Sequence, residues 1–200
     1  MNGVGARAPL GATVREARAR YFDHNGFGEG GYESRWVDLQ AGPFRLRFPN
    51  SQARVAAVKL HDLHHVATGY KTTWVGEGEM SAWEIAGGCG SHLAAWVLNL
   101  QAMAIGTLLA PSRMWRAFRR GRAGRTLYHG DRMEDWLDRP LDDLRESLDR
   151  APSSAGRVLA TFPSYLLFTA IALVSLASTL AIALLPLAGV AALLRWLVAS

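Results

Sequence analysis

Cysteine occurs once, at Cys89, which excludes a disulfide framework and any cysteine-rich zinc finger. Lysine occurs only twice, so the formal charge of +5 rests on arginine. That excess points to an anionic surface or ligand, or reflects no more than genome composition. Charge is almost absent from the end of the chain: all 17 acidic and 21 of the 22 basic residues precede Val158, and beyond it only Arg195 is charged. The first 21 residues lack the apolar core of a secretory signal. They carry Arg7, Arg15, Arg18 and Arg20 without the serine enrichment of an organellar transit peptide. They read as a flexible leader over 1–21, with helix possible from about Ala12. Internal repeats and low-complexity tracts are also missing. What remains is 50% hydrophobic and 20% charged, too apolar for a disordered tail and of a size for one domain with an appendage.

Val158 to Leu194 is uncharged and flanked by Arg157 and Arg195. As one straight helix it would measure roughly 55 Å, nearly twice the ~30 Å hydrocarbon thickness. Two arrangements suit that length. One is a span from about Tyr165 to Leu185, broken at Pro186 with the rest lying at the interface. The other is a hairpin turning near Ser175 to Thr179. The soluble alternative is a buried helical pair that seals a homo-oligomer. A second uncharged stretch, Ile85 to Ser112, holds Asn99 and Gln101 at its centre; both are costly in lipid, so this reads as a core helix.

The pattern in between predicts a mainly α compact domain over 22–150, joined by a linker at 151–157 to the hydrophobic segment at 158–200. Residues 22–49 are rich in glycine and aromatics and read as loop or short strands around Gly42-Pro43. Asn50 and Ser51 supply a helix cap, Val55 to Val66 carry the helix to Thr68, and Gly69 stops it. Further helices are expected near Gly76–Ala86 and Ser91–Ala110. Arg113 to Arg125 follows with six arginines and no acid. Its arginines accompany Met114, Trp115 and Phe118, the pattern of an interfacial helix on an anionic leaflet or of a solvated face paired with the eight acids of Asp131–Asp149. No nucleic-acid motif accompanies it. Pro140 is well placed to start a last helix in the acidic segment.

Chemistry gathers on the helix before Gly69. His61 and His65 stand four apart, so their imidazoles share one face, the spacing with which a helix offers two nitrogens to a metal. Asp62 sits at the rim of that face, able to ligate or to orient an imidazole. Glu77 opens the next helix after a connection short enough to fold its carboxylate back over the histidines. Glu84, seven on, shares the Glu77 face and suits a supporting acid, whereas Glu79 falls on the other side. His64 points roughly 100° away and reads as a capping or surface residue. Two histidines with carboxylates suit Zn2+, and Fe2+ or Mn2+ nearly as well. A polar, hydrogen-bonded helix face is the competing reading of the same residues.

The string His61-Asp62-Leu63-His64-His65, eleven residues, then Glu77 resembles the signature of the coenzyme Q (ubiquinone) biosynthesis protein four family. The text from His65-Val66-Ala67-Thr68-Gly69-Tyr70-Lys71-Thr72 to Gly76-Glu77 is similar as well. So are Ala117 to Arg122, and Asp135-Trp136 with Pro140-Leu141 and Leu144-Arg145. Together these cover about 50–150. The resemblance implies a mostly helical, membrane-associated protein of ubiquinone synthesis that binds a divalent metal, usually zinc, through His61, Asp62, His65 and Glu77. It implies action at C1 of a polyprenylated hydroxybenzoate: a carboxy-lyase reaction that removes the carboxylate and allows hydroxylation there. It also implies partnership with other quinone-biosynthesis enzymes, and a non-catalytic scaffold that binds the prenylated quinone lipid is the alternative. Tyr70, Trp74, Trp83 and Glu84 are the residues expected near the ring. A bacterial inner membrane with the metal domain in the cytosol is the expected setting.

Overall fold

The computed structural model describes residues 11–41, 44–149 and 161–199, and is mainly helical with one small antiparallel hairpin. The linker expected at 151–157 lies outside the described residues. Helix α1 (Val14–Asn25) starts on a capping box in which Thr13 accepts from the Glu16 backbone and the Glu16 carboxylate accepts from the Thr13 N–H. The stretch 11–21, expected to belong to a flexible leader, is therefore a built part of the domain. Val14, Ala17 and Phe22 are buried, and backbone hydrogen bonds run from Val14 to Arg139, from Arg15 to Leu137 and from Leu141 to Ala12. The apolar residues of α1 sit at helical spacing between arginines, which masks its amphipathicity.

Strands β1 (Trp36–Ala41) and β2 (Phe44–Pro49) pair in the register Trp36↔Pro49 and Asp38↔Arg47, so of the loop or short strands expected around 42–43 the strands are formed. Asn50 ties it to the preceding loop by donating to Gly31 and Ser34 carbonyls. Helix α2 (Gln52–Thr68) is capped by Ser51, and Gly69 ends it in the left-handed region with φ 77°. Helix α3 (Trp74–Gly87) is capped by Thr73. It packs between α4 (Leu93–Leu109) and α5 (Pro111–Ala123). After a 3-10 turn at Met133–Asp135, α6 (Leu141–Asp149) buries Leu141, Leu144 and Leu148 against α2, with Pro140 immediately before it.

Helix α7 (Thr161–Ala199) is continuous: the backbone does not turn at 175–179, and it stays helical through position 186. Neither the hairpin nor the break is formed. The run has no glycine before Gly189 and is dominated by helix-compatible Leu, Ala, Val and Ile, so Ser175 and Thr179 alone do not reverse it, and a proline removes a single helical hydrogen bond. Thr161–Leu185 has mean hydropathy 2.3 and is 6% buried, so by length and composition it can cross a membrane. Its first turns lie on α4 and α5 through Tyr165, Phe168 and Ala172. Leu166, Leu167, Val174 and Ile182 face outward, as do Leu93, Val97 and Leu108 of α4.

The contact between α3 and α4 depends on two glycines. A Cβ at Gly106 would lie 2.8 Å from the Cα of Gly78 and 2.6 Å from Met114 Sδ. Gly106→Val is expected to lower stability by about 1–3 kcal/mol through overpacking, read as an earlier denaturant midpoint in mild detergent. An unchanged midpoint would mean that the helices do not meet at this point.

Candidate metal centre

The i to i+4 spacing on α2 brings His61 and His65 side by side, and the cap at Thr73 aims the first turn of α3 back at them. His61 Nε2 lies 3.0 Å from His65 Nε2 and 3.3 Å from Glu77 Oε2, and His65 Nε2 lies 3.4 Å from Glu77 Oε2. A tetrahedral ion with bonds of about 2.0–2.1 Å has ligand atoms about 3.3 Å apart. The three donors thus stand at the corners of one face of such a tetrahedron. This triad can hold a metal ion.

The outer nitrogens explain why these atoms favour a positive charge, a proton or a metal ion, among them. His65 Nδ1 lies 2.9 Å from the carbonyl oxygen of Tyr70, which only accepts, so Nδ1 carries the proton. His61 Nδ1 lies 3.0 and 3.1 Å from the two carboxylate oxygens of Glu84 and is a donor by the same logic. With both rings neutral, the two Nε2 atoms therefore turn lone pairs toward each other and toward the Glu77 carboxylate. Three acceptors at such distances repel unless positive charge sits among them. The titration behaviour has the same origin. Burial opposes charge on His61, yet Glu84 and Glu77 raise its pKa well above the ordinary imidazole value. Burial would likewise raise the Glu77 carboxyl, but hydrogen bonds to His61 and His65 hold it down at about 2.

Glu84 organises the surroundings. It is fully buried and accepts from His61, from His64 Nδ1 at 2.6 Å, from Asn99 Nδ2 at 2.5 Å and from the Tyr128 hydroxyl at 3.2 Å. Burial opposes its charge, but His61 and His64 outweigh that and its pKa is lowered. This is the carboxylate–imidazole support that fixes a metal-binding ring and raises its basicity. With a dication in place, Glu77 and Glu84 would balance its charge.

His64 is not at the surface. It is fully buried, with Nδ1 on Glu84 and Nε2 accepting the Leu127 N–H at 2.9 Å, and burial lowers its pKa. Leu60, buried one turn earlier on the same side, was the available signal for that face. Asp62 stands apart from the converging triad, because adjacent helical positions diverge by roughly 100°. It is buried, accepts from the Tyr32 hydroxyl at 2.6 Å, and burial raises its pKa.

Of the residues expected near an aromatic ligand, Tyr70 gives its carbonyl to His65 and lies under the guanidinium of Arg120. Trp83 is buried against His64, and Trp74 is exposed. Glu79, on the far side of α3 as expected, pairs with Arg113 at 2.9 Å. Tyr21, which no sequence pattern singled out, stacks on the His65 ring at 5.6 Å. The His65 side chain is 1% exposed, whereas His61 and Glu77 are 21% and 32% exposed, so the triad opens on their side. No family model, curated protein or solved structure matches the chain.

Titration of the purified protein with Zn2+ against a chelating dye is expected to give one site per chain, lost in His65→Ala and Glu77→Ala. Glu84→Gln removes the support but no donor, so its affinity is expected to fall about 10–100-fold. Full binding by Glu77→Ala would refute the triad.

Proposed function

We propose that this protein is a membrane-anchored, metal-dependent carboxy-lyase of quinone biosynthesis, acting at C1 of a polyprenylated hydroxybenzoate. The observation that carries the reading is the three-donor site. His61, His65 and Glu77 converge, and among the described residues no fourth donor joins them on the side where His61 and Glu77 are exposed, which suits a catalytic site with a position for substrate. The signature spacing from His61 to Glu77 supports the substrate class. Two imidazoles and a carboxylate suit zinc, with iron or manganese accommodated by the same donors.

The bound ion would supply Lewis acidity toward the substrate's carboxylate or phenolate oxygen. The chain's own residues supply the rest. Losing carbon dioxide breaks the bond between C1 and the carboxyl carbon and leaves an electron pair that must take a proton. Asp62 makes its hydrogen bond to Tyr32 and not to the triad, but it feels the charges of His61, His65 and Glu77 and burial raises its pKa, which suits it to hold that proton. The outward apolar residues of α4 and α7 offer surface for a prenyl tail. Basic residues concentrate before the span, which favours a cytosolic metal domain; a bacterial inner membrane is the setting we propose.

The test is carbon dioxide release from a short-tailed prenyl hydroxybenzoate by the detergent-purified protein loaded with Zn2+, Fe2+ or Mn2+. His61→Ala and Glu77→Ala are expected to abolish release, and Asp62→Asn to slow it about 10²-fold. A wild-type protein that binds the lipid and partner enzymes but releases nothing with any of these metals would instead be a quinone-lipid scaffold.

A further inference from the structure

Helix α5 meets α7 in an unusual way. Its contacts come from Pro111, whose carbonyl accepts from Tyr165, from Trp115 on Phe162 and Tyr165, from Phe118 on Tyr165 and Phe168, and from Arg122 on Ser164. These residues spread over roughly 16 Å of α5 but meet only about 9 Å of α7, with no steady progression along either helix. The two axes therefore cross steeply. If α7 stands across a bilayer, α5 lies in the membrane plane at the foot of the span.

The chemistry of α5 fits that level. Met114, Ala117, Phe118 and Gly121 are buried inward, and Arg113, Arg116, Arg119 and Arg120 are exposed. Arg113 is taken by Glu79, and Arg120 by the Thr68 carbonyl and the Tyr70 ring. The acids of 131–149 do not cover this face: the ion pair they make with the basic stretch is at Arg125, beyond the end of α5. Among the described residues Arg116 has no carboxylate partner, and Arg119 rests only on the face of Trp115. Half-buried Trp115 and exposed Phe162 put aromatic rings at the level where a span leaves the hydrocarbon. Free guanidinium groups beside interfacial aromatics are suited to lipid phosphates.

We propose that α5 is a headgroup-binding helix, with Arg116 and Arg119 engaging anionic phospholipid at the surface from which α7 enters the bilayer. The proposal rests on α7 as a span and not on the chemistry of the metal centre. The full-length protein is equilibrated with mixed micelles of equal phosphatidylglycerol and phosphatidylcholine, re-isolated, and its retained lipid quantified by mass spectrometry. The wild type is expected to retain phosphatidylglycerol in several-fold excess. The neutral Arg116→Gln/Arg119→Gln is expected to bring retention of the two lipids close to equal, and Arg116→Glu/Arg119→Glu to equal or below, at unchanged helix and metal content. Glycerol phosphate should not displace the lipid. Equal retention of the two lipids by the wild type, or an unchanged preference in both variants, would overturn the proposal. So would displacement of the lipid by an oligonucleotide or by glycerol phosphate.

Discussion

Glu84 is a carboxylate held out of water where α2, α3, α4 and the segment after α5 meet. An isolated charge in such a place costs several kcal/mol, and only a full set of donors makes it tolerable. His61, His64, Asn99 and Tyr128 form that set, drawn from three different parts of the chain. The need to satisfy one buried acid thereby fixes the register of α2 against α3, turns Asn99 inward and closes the turn at Leu127, whose N–H His64 accepts. It also dictates that His61 donates from Nδ1, which leaves Nε2 facing Glu77 to take a proton or a metal ion. The packing of these helices and the candidate metal site share the same carboxylate.

Helix α4 links this polar centre to the apolar arm. Its two mid-helix amides, which would be costly in lipid, both have protein partners: Asn99 reaches Glu84, and Gln101 donates to Ser175 of α7 at 2.7 Å. One face of α4 supports the site, and the other continues the outward apolar surface of α7. A reacting group held at the triad and a greasy tail held along α4 would therefore be separated by the thickness of a single helix, about 10 Å.

Much of this was legible in the chain. Ser51 and Gly69 bound α2 because a side-chain oxygen and a left-handed glycine satisfy its ends, and the i to i+4 histidines followed from helical geometry alone. Glu77 was within reach of them because Gly69 and the Thr73 cap allow a tight reversal. Short strands beside 42–43 and the start of the last domain helix after Pro140 were likewise local matters, though the pairing of the strands was not legible. What escaped depended on partners far away in sequence. His64 is buried because Glu84, twenty residues on, needs its proton, and Asp62 turns from the triad to a tyrosine thirty residues earlier. The packing of α1, with Tyr21 over His65, is decided by strand-like contacts with 137–141 that no periodicity reveals. The unbroken α7 shows that excess length over a bilayer does not by itself fold a helix back.

X-ray absorption at the edge of the bound metal interrogates the centre most directly. A first shell of nitrogen and oxygen at about 2.0–2.1 Å, with the outer-shell scattering of two imidazoles, is the result this account requires. A sulfur in the shell, implicating Cys89, or an all-oxygen shell without imidazole scattering, would contradict it.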